Sequence, residues 1–150
     1  MTVKAMDAAG NIGTGTFTIT VRDTTAPVIS RLSASPDSIW PPNHKMVPVT
    51  LTALVMDKVD PAPVTRIVQV TSEDTDDDHE KSKDKSNGAW EITGPLTLKL
   101  RAEDHVAYLI TVESCDSSGN VSARSIRIEV AKEHDGRDDH DDHGRRRQYR

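Results

Sequence analysis

The sequence is poor in cysteine, aromatic residues and long apolar runs. Its 150 residues include one cysteine, which excludes an internal disulfide and any zinc site built on CxxC pairs. No segment approaches the ~20 consecutive apolar residues of a transmembrane helix. The N-terminus, MTVKAMDAAGN, lacks the apolar core of a secretory signal, so the protein either stays inside the cell or this chain is a piece of a longer one. The net charge of -5 argues against binding to nucleic acid.

The negative charge is concentrated in two segments. Residues 73–85 carry a charge of -4 and residues 133–150 a charge of -1, which together account for the net charge. Both segments contain almost no apolar side chains, and they cannot bury enough surface to offset the entropy lost on ordering. The composition therefore predicts a flexible acidic loop at 73–88 and a disordered charged tail at 133–150.

The remaining sequence alternates between apolar and polar residues. This period of two is typical of half-buried strands, and no segment shows a convincing helical period. Proline and glycine separate the runs, as expected at turns. The pattern predicts an all-β protein with an immunoglobulin-like antiparallel β-sandwich. The predicted strands are at 28–34, 47–55, 64–71, 96–102, 106–112 and 126–130.

An internal match sets the predicted domain boundaries. Residues 3–23 align with residues 112–132 at a constant offset of 109, and the aligned positions include Asp7 with Asp116 and Asn11 with Asn120. A strand, a turn and a strand recur at about the spacing of one immunoglobulin-like domain, which favours a tandem array. The prediction is a terminal hairpin of a truncated preceding domain at 1–23, a linker at 24–27 and a complete sandwich at 28–132. The alternative is that residues 3–23 belong to the same sandwich and match by coincidence.

Several segments carry a resemblance to a known family. DAAGN followed by VRDTTAPVI, then WPPNHK, AWEITGPLTLKLRAE and DSSGN, resemble bacterial extracellular immunoglobulin-like modules of the hyalin-repeat type. The resemblance covers about residues 26–132. It implies a β-sandwich, a location outside the cell or on the surface of a bacterium, a structural or adhesive role, and no catalytic activity.

The sequence departs from that family at its cysteine positions. Members of the family often carry cysteines where this chain has Val59, Thr65 and Ser114. Cys115 is one residue out of register, and strand alternation places Ser114 on the inward face and Cys115 on the outward face. We therefore expect Cys115 to be a free thiol.

The acidic turns suggest a calcium site. In an immunoglobulin-like sandwich, the turn between the last two strands lies at the same end as the turn after the second strand and the incoming linker. This topology would bring together Asp23, Asp57, Asp60, Asp116 and Asn120. Calcium takes six to eight oxygen ligands, and clustered carboxylates repel one another without a cation. A bound ion would stiffen the junction between modules. The alternative is that Asp116 and Asn120 only bond the backbone of their own turn.

Other candidate sites have weaker support. The acidic loop offers a second calcium candidate, but it lacks the glycine and glutamate spacing of an EF-hand and fits a solvated loop better; its residues are Asp74, Asp76, Asp77 and Asp78. Histidines of the tail could bind zinc or nickel only loosely, and a disordered tail is favoured; they are His134, His140 and His143. Trp40 and Trp90 are expected in the core, although an exposed pair could stack on a sugar ring.

The sequence favours a non-catalytic extracellular or cell-surface module acting as a spacer or adhesion domain in a tandem array. Expected partners are neighbouring immunoglobulin-like domains, surface or extracellular proteins, or glycans, with no nucleic acid and no membrane span. The alternative is a carbohydrate-binding module attached to a secreted enzyme. A hydrolase is not favoured, because neither GxSxG nor HExxH occurs.

Overall fold

The computed structural model describes residues 1–75 and 88–131. The centre of the predicted acidic loop and the predicted disordered tail lie outside the described residues. The described part contains ten strands and no helix: β1 (Thr2–Met6), β2 (Ile12–Thr16), β3 (Val28–Ser35), β4 (Ser38–Ile39), β5 (Met46–Met56), β6 (Val64–Asp74), β7 (Trp90–Gly94), β8 (Thr97–Arg101), β9 (Val106–Cys115) and β10 (Val121–Val130).

Two four-stranded sheets form an immunoglobulin-like sandwich. One sheet has the order β3-β5-β8-β7 and the other the order β4-β10-β9-β6. Neighbouring strands are antiparallel, except that the short β4 runs parallel to the end of β10. The first sheet corresponds to strands A, B, E and D of an immunoglobulin domain, and β6, β9 and β10 correspond to C, F and G. The predicted fold class is confirmed.

The core lies between the two sheets and follows the alternation of the sequence. Inward residues of each long strand are buried while their neighbours face solvent, as the pleat requires. The central strand β9 is the most buried, because it has a strand on either side and a sheet beneath it. The largest fully buried side chains include Tyr108, Ile39, Leu98, Leu100, Ile110 and Ile128.

Tyr108 forms the tyrosine corner found in many immunoglobulin-like domains. Its hydroxyl donates to the Arg101 carbonyl oxygen at 2.7 Å, which joins the start of β9 to the end of β8. Burial raises the pKa of the Tyr108 hydroxyl to about 12, with a further contribution from the negative charge of Glu103. Trp90 packs edge-on against the Tyr108 ring, with ring centroids 6.3 Å apart.

The structure differs from the sequence analysis at three points. Strand β6 continues to Asp74, which pairs with Val106, so the first residues of the predicted acidic loop belong to a strand. Trp40 was expected in the core but is 69% exposed, because it lies after β4 in the turn leading to β5. The short strands β4 and β7 were not predicted, since neither has a clear apolar alternation.

The positions around the single cysteine behave as strand alternation predicted. Ser114 is fully buried, and its Oγ lies 3.0 Å from Oγ1 of Thr65 on the neighbouring strand. Cys115 is a half-buried free thiol, and its Sγ donates to the carbonyl oxygen of Asp116. Val59 is exposed in the turn between β5 and β6 and does not belong to a strand.

The first two strands form a separate two-stranded sheet. β1 and β2 pair antiparallel from Thr2 opposite Thr16 to Met6 opposite Ile12. All their side chains are exposed. Phe17 exchanges two backbone hydrogen bonds with Met1, both at 3.1 Å, and residues 18–21 continue the alternation of apolar side chains outside any assigned strand.

Candidate metal centre

Three aspartates meet at one end of the sandwich, and each comes from a different part of the chain. Asp23 lies in the segment 17–27 between β2 and β3, which is the linker in the structure. Asp57 directly follows β5, and Asp116 directly follows β9. The ends of β5 and β9 lie at the same end of the sandwich, at which β3 also begins. One carboxylate oxygen of each residue lies within 4.8 Å of the other two. The convergence expected from the topology is therefore present for these three residues.

The cluster is largely withdrawn from solvent, and its carboxylates form no ion pair with a described side chain. Asp116 is buried, and Asp23 and Asp57 are half-buried. Within residues 1–75 and 88–131, none of the ion pairs involves any of the three carboxylates. Three negative charges at this separation repel one another, so the geometry favours a cation among them.

Asp57 and Asp23 each use one carboxylate oxygen to shape their own turn. Oδ1 of Asp57 accepts hydrogen bonds from the N–H groups of Val59 and Asp60 at 2.8 and 2.7 Å. Oδ1 of Asp23 accepts from the Thr25 N–H at 3.0 Å. These bonds are typical Asx turns, which fix the direction of the side chain. The second oxygen of each residue, Oδ2, is inaccessible to solvent and has no hydrogen-bond partner.

Asp116 is held by its own turn. Its Oδ1 accepts from the N–H groups of Ser118 and Asn120 at 2.9 and 2.8 Å, and its Oδ2 accepts from Nδ2 of Asn120 at 2.7 Å. Gly119 makes this turn possible because its φ of +87° is strained for a residue with a Cβ. Burial raises the pKa of Asp116, but hydrogen bonds from Asn120, Ser118 and Gly119 outweigh it and hold the pKa below its ordinary value.

Asn120 and Asp60 position the cluster. The Asn120 amide donates through Nδ2 to both Asp116 Oδ2 and the carbonyl oxygen of Asp23, at 2.7 and 3.1 Å, so it ties the linker to the turn after β9. Asp60 accepts from the N–H groups of Ala62 and Ser117, at 2.9 and 2.7 Å, which ties the turn after β5 to the same turn. These bonds hold the pKa of Asp60 below its ordinary value.

The structure thus divides the five predicted ligands into two groups. Asp23, Asp57 and Asp116 converge, whereas the structure does not place an Asp60 carboxylate oxygen within the same group. Asp60 and Asn120 fasten the surrounding turns instead. Sequence analysis missed Ser117, whose backbone N–H joins the two turns, and no signal in its side chain identifies it.

The donor set suits a hard cation. Carboxylate oxygens are the ligands that calcium prefers, and two oxygens bound to one calcium ion lie at most about 5 Å apart, twice the usual bond length. The spacing of the three carboxylates satisfies this limit. The cluster contains no histidine or cysteine, the ligands typical of structural zinc sites.

An apolar cleft of about 350 Å³ borders the cluster. It lies between the linker and the end of β5, and its walls include Ala26, Val28 and Met56 together with Asp57. Val28 and Met56 are exposed. Of the three clustered aspartates, Asp57 lines this cleft, beside Lys58.

The other candidate sites are not assembled in the described part of the chain. Asp74 ends β6, while the remaining residues of the acidic-loop candidate and the three tail histidines lie outside the described residues. The two tryptophans do not form a platform, because Trp90 packs against the core and Trp40 is exposed in the turn after β4.

No protein-family model, curated protein or solved structure matches the chain. The described residues contain no helix that could span a membrane.

Proposed function

We propose that this chain is a non-catalytic extracellular or bacterial cell-surface module, which acts as a spacer or adhesion domain in a tandem array and is stiffened by calcium. Calcium binds between Asp23, Asp57 and Asp116. The resemblance to hyalin-repeat modules supports the extracellular setting, and extracellular calcium modules typically bind with dissociation constants of about 10⁻⁴–10⁻³ M.

The observation that carries the calcium proposal is the pair of unpartnered oxygens. Oδ2 of Asp23 and Oδ2 of Asp57 are both inaccessible to solvent and have no hydrogen-bond partner. A buried carboxylate oxygen without a partner is costly, commonly about 1–3 kcal/mol or more. A cation supplies the missing partner for both oxygens at once, and the turns already hold them in place before it binds.

The position of Asp23 connects ion binding to mechanics. Asp23 follows the N-terminal hairpin and precedes β3, so a ligand from this residue fixes the linker to the sandwich. Without the ion, the side-chain contact joining Asp23 to the turn after β9 is the Asn120 amide. An ion bound by Asp23 adds a second link to this hydrogen bond, and we expect it to make the junction more rigid, as a spacer in an array requires.

Thermal unfolding of the full chain tests calcium binding. If calcium binds the folded state with a dissociation constant near 10⁻⁴ M, 10 mM calcium stabilises it by about 2.7 kcal/mol. For a domain of this size, we expect the Tm to rise by about 10 °C or more. Asp57→Asn removes most of this shift, whereas the matched variant Asp37→Asn, at an exposed aspartate before β4, retains it. An equal calcium response in both variants, or none in the parent chain, contradicts the site.

Trypsin cleavage after Arg22 tests the stiffening. This peptide bond directly precedes Asp23, and Arg22 is exposed. We expect calcium to slow cleavage after Arg22, because proteolysis requires local opening of the chain. Cleavage after Lys4 in β1, measured in the same digest by mass spectrometry, should be unchanged. If calcium raises the Tm but does not slow cleavage after Arg22, calcium binds the protein but does not stiffen the linker.

The carbohydrate-binding alternative depends on one side chain. Trp40 is exposed and its ring is available for stacking on a sugar, whereas Trp90 is part of the core packing. A single exposed ring gives a smaller contact than the aromatic platform that this function needs, so the spacer function is the better supported of the two.

A further inference from the structure

The N-terminal hairpin and the hairpin of β9 and β10 have the same strand register. Thr2 pairs with Thr16 and Met6 with Ile12 in the first. At the offset of 109 residues, these pairs correspond to Thr111 with Ser125 and Cys115 with Val121, which are the pairs observed in the second. The sequence match therefore extends to the pairing of the strands.

The two turns also agree atom by atom. Asp7 Oδ1 accepts from the N–H groups of Ala9 and Asn11 at 2.9 and 2.8 Å, and Asp7 Oδ2 accepts from Asn11 Nδ2 at 2.8 Å. The corresponding distances around Asp116 are 2.9, 2.8 and 2.7 Å. Gly10 and Gly119 have nearly equal φ values, +85° and +87°. The first hairpin is thus built in the conformation that the second adopts inside a complete sandwich.

The hairpins differ in what covers their apolar side chains. Val112, Ile128 and Val130 are 0, 0 and 3% exposed, because strands of both sheets surround them. Their counterparts in the first hairpin, Val3, Ile19 and Val21, are 51, 62 and 92% exposed. Ile126 in the second hairpin packs against the core, whereas its counterpart Phe17 in the first is exposed. We call the exposed set, Val3, Phe17, Ile19 and Val21, the hairpin face.

We propose that the hairpin face is a contact surface for a second β-sandwich of the same class, one that lacks its last strand and the second half of the strand before it. That partner presents the open side of strands equivalent to β3–β8 and to residues 106–110 of β9. The occupant follows from the chain itself, because those strands cover the corresponding residues of the second hairpin. Burial of an apolar face of this kind is the main source of stability in a β-sandwich.

The turn adds a polar contact to the same interface. Asn120 Nδ2 donates both to its own aspartate and to the Asp23 carbonyl oxygen of the linker. For Asn11 Nδ2, the described residues provide the first of these bonds, to Asp7. In the proposed complex, the second bond goes to a backbone carbonyl of the partner in the position of Asp23.

The experiment places the partner strands directly before the full chain. Residues 26–110 are fused in front of Thr2, which corresponds to Thr111, so that residues 2–23 replace residues 111–132 of the added module. We expect amide hydrogen exchange at Val3, Ile19 and Val21 to slow by about 100-fold or more relative to the unfused chain, because these residues become part of a folded core. Ile19→Asp should abolish this protection, whereas the matched variant Thr20→Asp on the opposite face of the strand should retain it.

A second fusion is the control for misfolding caused by the fusion itself. It places residues 26–132, a module with its own last hairpin, before Thr2. If this control folds while the 26–110 fusion leaves its added strands unfolded and the hairpin unprotected, the proposal is wrong. It is also wrong if the unfused chain forms a dimer that Ile19→Asp dissociates, since the face then binds a second copy of the chain.

Discussion

At the scale of single residues, the candidate site depends on short polar side chains that bond the backbone. The carboxylates of Asp57, Asp60 and Asp116 each accept hydrogen bonds from two backbone N–H groups, which restricts the orientation of each side chain. Aspartate suits this role because its short side chain reaches the N–H two residues later. The same property made the turns recognisable in the sequence, whereas the cross-turn bond from the Ser117 backbone left no sequence signal.

Asn120 is the residue whose loss should separate the linker from the turn. Asn120→Ala removes the hydrogen bonds from Nδ2 to Asp116 and to the Asp23 carbonyl, and we expect it to lower the free energy of unfolding by about 1–3 kcal/mol. Urea unfolding in the absence of calcium measures this change. Asn11→Ala is the matched control, because Asn11 makes the equivalent bond to Asp7 in the exposed hairpin. Equal effects of the two substitutions would mean that the bond to the linker contributes nothing.

At the scale of strands, alternation located the elements that bury one regular face. β5, β8, most of β9 and the second half of β10 were predicted because alternate side chains there are apolar, whereas residues 121–125 of β10 lack this pattern and were missed. The two-residue β4 and the mostly exposed β7 carry no such pattern. The extension of β6 to Asp74 was missed because backbone pairing with β9, not burial of its own side chains, holds that end of the strand.

One side chain joins the two sheets at their edge. Nη1 of Arg124 on β10 donates to the carbonyl oxygens of Ile29 and Ser30 on β3, both at 2.9 Å, next to a bulge in β3. The bulge interrupts the regular pairing of these residues with β5, and Arg124 bonds their carbonyls. This contact was not predictable from the sequence, since a surface arginine on a strand has many possible partners.

Replacement of Arg124 tests the contribution of this contact. Arg124→Met keeps the aliphatic stem but removes two hydrogen bonds from a charged donor, and we expect a loss of about 1.5–3 kcal/mol in the free energy of unfolding. Arg127→Met on the same strand is the control. Arg127 pairs with Glu73 and Glu129 at the surface, and exposed pairs contribute about 0–1 kcal/mol. Urea titrations at one pH compare the two variants. A smaller effect for Arg124→Met than for Arg127→Met would mean that the bonds from Arg124 to β3 do not stabilise the sandwich.

At the scale of the whole molecule, topology explains why distant aspartates meet. An immunoglobulin-like sandwich places the start of β3, the end of β5 and the end of β9 at one end, so residues 23, 57 and 116 were predictable as neighbours once the strands were assigned. Topology does not determine which side-chain atoms remain unpaired. That the Asp60 carboxylate bonds the N–H groups of Ala62 and Ser117 depends on local turn geometry, which strand order leaves open.

The same end of the molecule should control the response of the sandwich to acid. Hydrogen bonds hold the pKa values of Asp116 and Asp60 below those of the unfolded chain. A carboxyl group with a lowered folded-state pKa contributes stability that is fully present above its unfolded pKa, near 3.9, and is lost as the pH falls through the folded value. We therefore expect the free energy of unfolding to be steady near pH 6 and to decline below about pH 4.

Substitutions test whether this loss of stability in acid arises from the turns at the end of the sandwich. Asp116→Asn should flatten the pH profile of urea unfolding between pH 6 and 2.5, because the titrating group is gone, while the exposed Asp37→Asn should leave the slope unchanged. Asp7 also has a lowered pKa from its bonds with Asn11, but it lies in the exposed hairpin. Asp7→Asn should therefore leave the profile of the sandwich unaltered. If Asp116→Asn and the parent chain lose stability in parallel as the pH falls, the acid sensitivity arises from carboxylates outside this cluster.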